Sequence, residues 1–176
     1  MDDLGRRTLL AAGSPAVGET WCDMGCGDGA FAIPLLSSVG ASGKLVAIDR
    51  DANAIAALRI SLTALGNEER FDLRVADVQS PPQLPMLDGV LFANVLHFVA
   101  DPAAALGNIC SSLKSGARIL VIEYDRADRN PWVPYPIPAS TLGTIARNAG
   151  IAPFEVKARV RSDFGRMLYA AVSTHT

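Results

Sequence analysis

Five segments of this 176-residue chain carry the residue types that bind or move charge: Asp23-Met24-Gly25-Cys26-Gly27-Asp28-Gly29, Asp49-Arg50, Asp77-Val78, Asn94 with His97, and Glu123-Tyr124-Asp125-Arg126. The first is a glycine turn, where the lack of β-carbons and the access to positive φ let the backbone approach a ligand closely, so a nucleoside or nucleotide can lie against it. Asp49 follows roughly twenty residues later, the spacing at which a strand-end carboxylate accepts two hydrogen bonds from vicinal ribose hydroxyls. A solvated strand-end aspartate is the plainer reading. His97, the only histidine outside the tail, is of the residue type that serves as a general base for a hydroxyl or thiol, and equally suits a residue that lines or supports a pocket.

These groups make one site only if the chain places them at one edge of a sheet. From residue 20 to about 150, strand and helix signals alternate, the pattern of parallel strands joined by crossover helices. "TWCDMG", "KLVAIDR", "FDLRVAD", "DGVLFANV" and "ARILVIEYD" read as the strands. "AFAIPLLSSVG", "DANAIAALRISLTALG" and "DPAAALGNICSSLKSG" read as helices that end on glycine. A last helix, "ASTLGTIARNAG", precedes "FEVKARVRS" and "RMLYAAVST", two strands joined by a turn around 163–165 into an antiparallel hairpin. Parallel sheets bind ligands beyond the carboxyl ends of their strands, where all five segments fall.

The connection 126–138, "RADRNPWVPYPIP", holds four prolines with Trp132 and Tyr135. It reads as an ordered loop that either packs against the sheet or acts as a lid, excluding water from a site whose acceptor side is formed by Glu123, Tyr124, Trp132 and Tyr135. Residues 1–18 are expected to form a short helical segment at the sheet edge. "GRRTLLAAG" also has the look of a twin-arginine export signal, but its apolar stretch is short and runs straight into a strand that the fold requires.

"TWCDMGCGDGAF" resembles the first motif of class I, Rossmann-like S-adenosylmethionine-dependent methyltransferases, and "LKSGARILVIEY" is similar to their fifth strand, with Ser115 at a place where proline is usual. The resemblance spans roughly residues 18 to 174. It implies an α/β three-layer αβα sandwich with a seven-stranded sheet of order 3-2-1-4-5-7-6, strand 7 antiparallel, in a single domain over 1–176. It implies S-adenosylmethionine as cofactor and S-adenosylhomocysteine as product. By the same resemblance Asp23, Gly25, Cys26, Gly27 and Gly29 hold the methionine part, and Asp49 binds ribose. Arg50 flanks the adenine, Asp77 and the Val78 N–H meet its edge, and Asn94 faces the methionine carboxylate or the pocket wall. Asp77 also suits a turn or helix cap. The ring faces of Trp132 and Tyr135 would favour a sulfonium cation. Catalysis then needs chiefly alignment, which supplies up to about 7–11 kcal/mol, so a base at His97 is optional.

Composition narrows the partner. A net charge of -2, with no lysine–arginine run, gives no pull toward phosphate backbones, and Val95 stands where amino-group nucleic-acid methyltransferases carry proline. The expectation is a small-molecule acceptor, with oxygen, nitrogen, carbon and sulfur nucleophiles all open, and a homodimer or partner subunit as one way to complete the pocket. No apolar run approaches the ~20 residues of a membrane helix. Cys22, Cys26 and Cys110 lack paired spacing, so no metal site is expected, and free thiols fit a cytoplasmic setting. Two other functions remain open: a nicotinamide-dependent oxidoreductase reading the loop as Gly25, Gly27 and Ala30, and a non-catalytic subunit that binds S-adenosylmethionine.

Overall fold

A computed structural model describes residues 1–66, 68–163 and 165–176. Among them, strands β1 (Thr20–Met24), β2 (Lys44–Asp49), β3 (Phe71–Val75), β4 (Leu87–Ala93), β5 (Leu113–Tyr124), β6 (Glu155–Arg161) and β7 (Met167–Thr174) form one sheet of order β3-β2-β1-β4-β5-β7-β6. The first five are parallel, and β7 runs antiparallel to both β5 and β6. The order reverses between β1 and β4, so the loops leaving these two strands diverge and open a crevice at their carboxyl ends.

Alternation along the strands divides the core in two. Cys22, Met24, Val90, Phe92, Ile119 and Val121 point to one face, where α4 (Pro102–Ile109) and α5 (Leu142–Ala149) cover them. Trp21, Leu91, Leu120 and Ile122 point to the other, against α1 (Asp3–Ala11), α2 (Ala32–Ser38) and α3 (Ala52–Ala64). Near-continuous apolar strands follow from burial on both faces. Helix starts are set by side-chain caps: Asp51 accepts from the Asn53 N–H at 2.8 Å, and Asp101 from that of Ala104 at 3.0 Å, with Pro102 in the first turn. Helix α1 lies on β6 and β7, with Leu9 and Leu10 buried.

Two boundaries differ from the sequence reading. Gly116 does not end the fourth helix: α4 gives way to a 3-10 turn at Cys110–Ser112, and Gly116, with φ of +81°, lies inside β5 where the register with β4 shifts. The apolar side chains from Leu113 onward pair with β4 and β7, and this outweighs the local glycine signal. Strand β3 stops at Val75, so Asp77 sits in the following turn. Of the turn expected around 163–165, residue 164 lies outside the described residues, while Ser162 donates to the Arg166 carbonyl at 2.7 Å beside it.

Candidate functional site

The loop after β1 is pinned under the end of β2: the Gly25 and Cys26 N–H groups both donate to the Ile48 carbonyl, at 2.7 and 3.0 Å. That contact turns the Gly27 N–H toward Asp49, whose Oδ2 accepts it at 2.8 Å, while Oδ1 accepts from Asp51 at 2.9 Å. Asp49 is therefore held in place rather than solvated, and each oxygen keeps a lone pair for a ligand. Gly25 has φ of +80°, and a β-carbon there would collide with the Val95 side chain. Gly27, at φ of +53°, has open space where its β-carbon would be.

A cavity of about 300 Å³ lies beyond this loop, lined by Gly25, Gly27, Asp49, Arg50, Asp77 and Val78 from the β1–β3 side and by Asn94 from the end of β4. Seven of the ten expected cofactor residues are thus brought together. Asp77 uses Oδ1 to accept from the Gln79 N–H at 2.8 Å, so it closes a turn and lines the cavity at once. Gln79, Val95, Phe98 and Val99 line it too and were not anticipated, because apolar wall residues carry no chemical signal of their own.

Asp23, Cys26 and Gly29 do not line the cavity. Gly29 faces Leu58 and Ile33, and the Cys26 side chain packs in the core beside α2 and α3. Asp23 is 1% exposed, and neither of its carboxylate oxygens has a hydrogen-bond partner. Burial, and secondarily the negative charge of Asp49, push its pKa up to about 7. Asn94 adds a second orphan: its Oδ1 is buried and unpartnered, and its backbone holds φ of +54° while its N–H donates to the Ile122 carbonyl at 2.8 Å. The Asn94 oxygen stands at the cavity wall and the Asp23 carboxylate is buried behind it, so a ligand that brings donors, above all a cation, suits this end of the crevice.

The 3-10 turn Leu96–Phe98 separates this cavity from a second one of about 520 Å³. Phe98 lines the first and His97 the second, together with Tyr124, Arg126, Asn130, Trp132, Val133 and Arg166. Glu123 is not at the mouth, as its strand-end position suggested, but beneath it: it is 1% exposed, its Oε2 lies 2.7 Å from His97 Nδ1, and its Oε1 accepts the His97 backbone N–H at 3.2 Å. Alternation along β5 turns Tyr124 out and Glu123 in. The contact assigns the donor role to Nδ1, since an ionised carboxylate can only accept, and a neutral ring then keeps Nε2 as its acceptor nitrogen. Burial, followed by the charge of Glu123, raises the Tyr124 pKa.

Tyr135 is not brought to this cavity. It lines a separate recess and lies under the Arg129 guanidinium, 5.7 Å from the ring centroid, while its N–H donates to the His97 carbonyl at 2.9 Å. Trp132 reaches the second cavity and is 78% exposed. Asn130 orders the loop by accepting from the N–H groups of Trp132 and Val133 at 2.9 and 2.8 Å.

A family model described as a methyltransferase domain matches residues 16–149. Among curated proteins, a "Probable cobalt-precorrin-6B C(15)-methyltransferase (decarboxylating)" of Thermoplasma volcanium is 31% identical over 108 residues, which are 59% of this chain and 50% of that protein. The chain spans about half or less of the length of the curated relatives it matches. Among solved structures, a SAM-dependent methyltransferase from Aquifex aeolicus superposes with a TM-score of 0.79 at 21% identity, covering 97% of this chain and 89% of that one. Human N-acetylserotonin methyltransferase, in complex with SAM, superposes with a TM-score of 0.70 at 25% identity over 98% of this chain and 51% of that one.

Proposed function

Because the chain belongs to the class I S-adenosylmethionine-dependent methyltransferase family, we propose that it methylates a small-molecule acceptor by direct in-line transfer, with the cofactor in the cavity beside Asp49 and the acceptor in the cavity beside His97. The observation that carries this reading is the Leu96–Phe98 turn, which places the two cavities back to back on one short wall.

The residues fit the cofactor. The orphaned Asp23 carboxylate and Asn94 Oδ1 suit its ammonium group, the open side of Gly27 admits its backbone, and Asp49 suits a ribose diol. Asp77 and Val78 would meet the adenine edge, with Arg50 at its side. When bound, S-adenosylmethionine supplies an electrophilic methyl carbon whose bond to sulfur breaks with its electron pair remaining on sulfur. The chain contributes position and proton management. His97, oriented through Nδ1 by Glu123, takes at Nε2 the proton that a hydroxyl or thiol nucleophile releases. Tyr124 and Trp132 hold the acceptor, and segment 126–138 closes over it, so water is excluded from the transfer. Free thiols and a cytoplasmic location go with this reading.

Calorimetric titration with S-adenosylmethionine, S-adenosylhomocysteine and NADH tests the proposal. Saturable binding of the first two alone is expected, and binding of NADH alone would overturn it.

A further inference from the structure

Strands β5 and β7 pair antiparallel with Glu123 opposite Tyr169 and Tyr124 opposite Leu168. Just beyond the ladder the Asp125 N–H donates to the Met167 carbonyl at 2.9 Å and the Arg126 N–H turns back to the Tyr124 carbonyl at 2.9 Å, which leaves Arg126 and Arg166 at the same end of the strand pair, lining one cavity. Two like charges gathered at one cavity repel each other unless a counter-charge stands between them. Arg126 and Arg166 both line the second cavity, and among the described residues no carboxylate lines it with them.

The neighbouring carboxylates compensate this charge only from outside or not at all. Asp128 is paired to Arg126 through its Nε and Nη2 and reaches Arg166 at 3.9 Å, but it is 59% exposed and stands outside the lining. The contact to Arg126 is bidentate, but the Asp128 carboxylate is itself exposed to water, so an anion bound in the cavity competes with it for both arginines. Asp125 is committed to Arg159 at 3.1 Å and to the Ala139 N–H at 3.0 Å. Glu123 is committed to His97, and Asp163 to the chain's amino group. The Arg126 side chain is only 10% exposed, so its guanidinium sits at the cavity wall rather than in bulk water.

On the reading of this cavity as the acceptor site, we infer that the acceptor is an anion: a flat, ring-bearing hydroxy compound whose carboxylate or phosphate monoester is held between Arg126 and Arg166, with its ring against Trp132 and Tyr124 and its hydroxyl toward His97. Guanidinium forks match both oxyanions, and both anions share this chemistry. The separation of roles follows the wall. Charge recognition lies at the β5–β7 end, and proton transfer lies at the turn shared with the cofactor cavity.

Binding can be read without turnover. Of the two tryptophans, Trp21 is fully buried under Gly89, so quenching of emission by a ligand reports Trp132. The probes are 4-hydroxybenzoate, 4-hydroxyphenyl phosphate and the uncharged 4-hydroxybenzamide, each titrated with S-adenosylhomocysteine present and absent. At least one anion should bind about tenfold or more tightly than the amide, and Arg126→Gln and Arg166→Gln should each erase most of that difference. The order of carboxylate and phosphate assigns the source of the anion. Equal binding of all three probes, binding of none, or an anion preference that survives both substitutions overturns the inference. Anion preference without any binding of S-adenosylhomocysteine would support the arginine site while counting against the methyltransferase reading.

Discussion

Asp23→Asn should make the ligand-free protein more stable at neutral pH and a poorer binder of its cofactor. The carboxyl is 1% exposed, without a partner, and carries a pKa pushed from an ordinary 3.8 to about 7 by burial and by Asp49. Below the ordinary value both the folded and the unfolded chain hold the proton, and nothing is lost. As pH rises from about 4 to about 7 the unfolded chain gives the proton up while the folded chain keeps it, so stability falls, and above about 7 the loss is constant. A rise of about three pH units at 1.36 kcal/mol each makes that loss about 4 kcal/mol. The asparagine amide has no charge to desolvate but leaves a buried polar group unpaired, at about 1–3 kcal/mol. The protonated carboxyl is just as unpaired, so that cost cancels near pH 4, and the variant should gain up to about 4 kcal/mol over wild type at pH 8 and nothing near pH 4. Urea denaturation of both proteins between pH 5 and 8 reads the difference, and a gap that does not change with pH refutes the argument. In wild type, affinity for S-adenosylhomocysteine should fall about tenfold per pH unit below about 7, because the ligand's ammonium selects the ionised carboxylate; in the variant this slope should vanish.

Asp49→Ala is expected to cut S-adenosylhomocysteine affinity by roughly a hundredfold with an unchanged circular dichroism spectrum, two hydrogen bonds to a charged acceptor being lost; near-normal calorimetric binding would remove the ribose assignment. Gly25→Ala and Gly27→Ala should separate, since the first collides with Val95 while the second meets open space. The former should lower thermal stability sharply, and the latter should cost about 1 kcal/mol while weakening cofactor binding. Glu123→Gln, which keeps a hydrogen-bonding shape but removes the charge that orients His97, should lower kcat on an identified hydroxyl acceptor by about 100-fold or more, with KM for the cofactor nearly unmoved. An equal loss of kcat and thermal stability in Glu123→Gln would make Glu123 a packing residue only.

Much of this architecture was legible along the chain. Hydrophobic alternation and glycine punctuation located the strands and crossover helices, and once strands are parallel their carboxyl ends share an edge, so Asp49, Asp77, Asn94 and His97 had to converge there. The glycine turn and the acidic residue about twenty positions on carry their spacing in the sequence itself. Local signals fail where long-range partners decide. Gly116 has the local mark of a helix stop, yet pairing with two strands far away in sequence draws it into β5. Tyr135 has the right chemistry for the acceptor pocket, but Arg129 and the backbone of His97 turn it elsewhere. Glu123 and His97 are 26 residues apart, and the orphaned state of Asp23 exists only because strands on both sides strip its water. Residue order determined which groups stand at the edge of the sheet. Only packing decided which of them lose solvent and which charges face each other, because burial and pairing are properties of neighbours that the chain brings together from a distance.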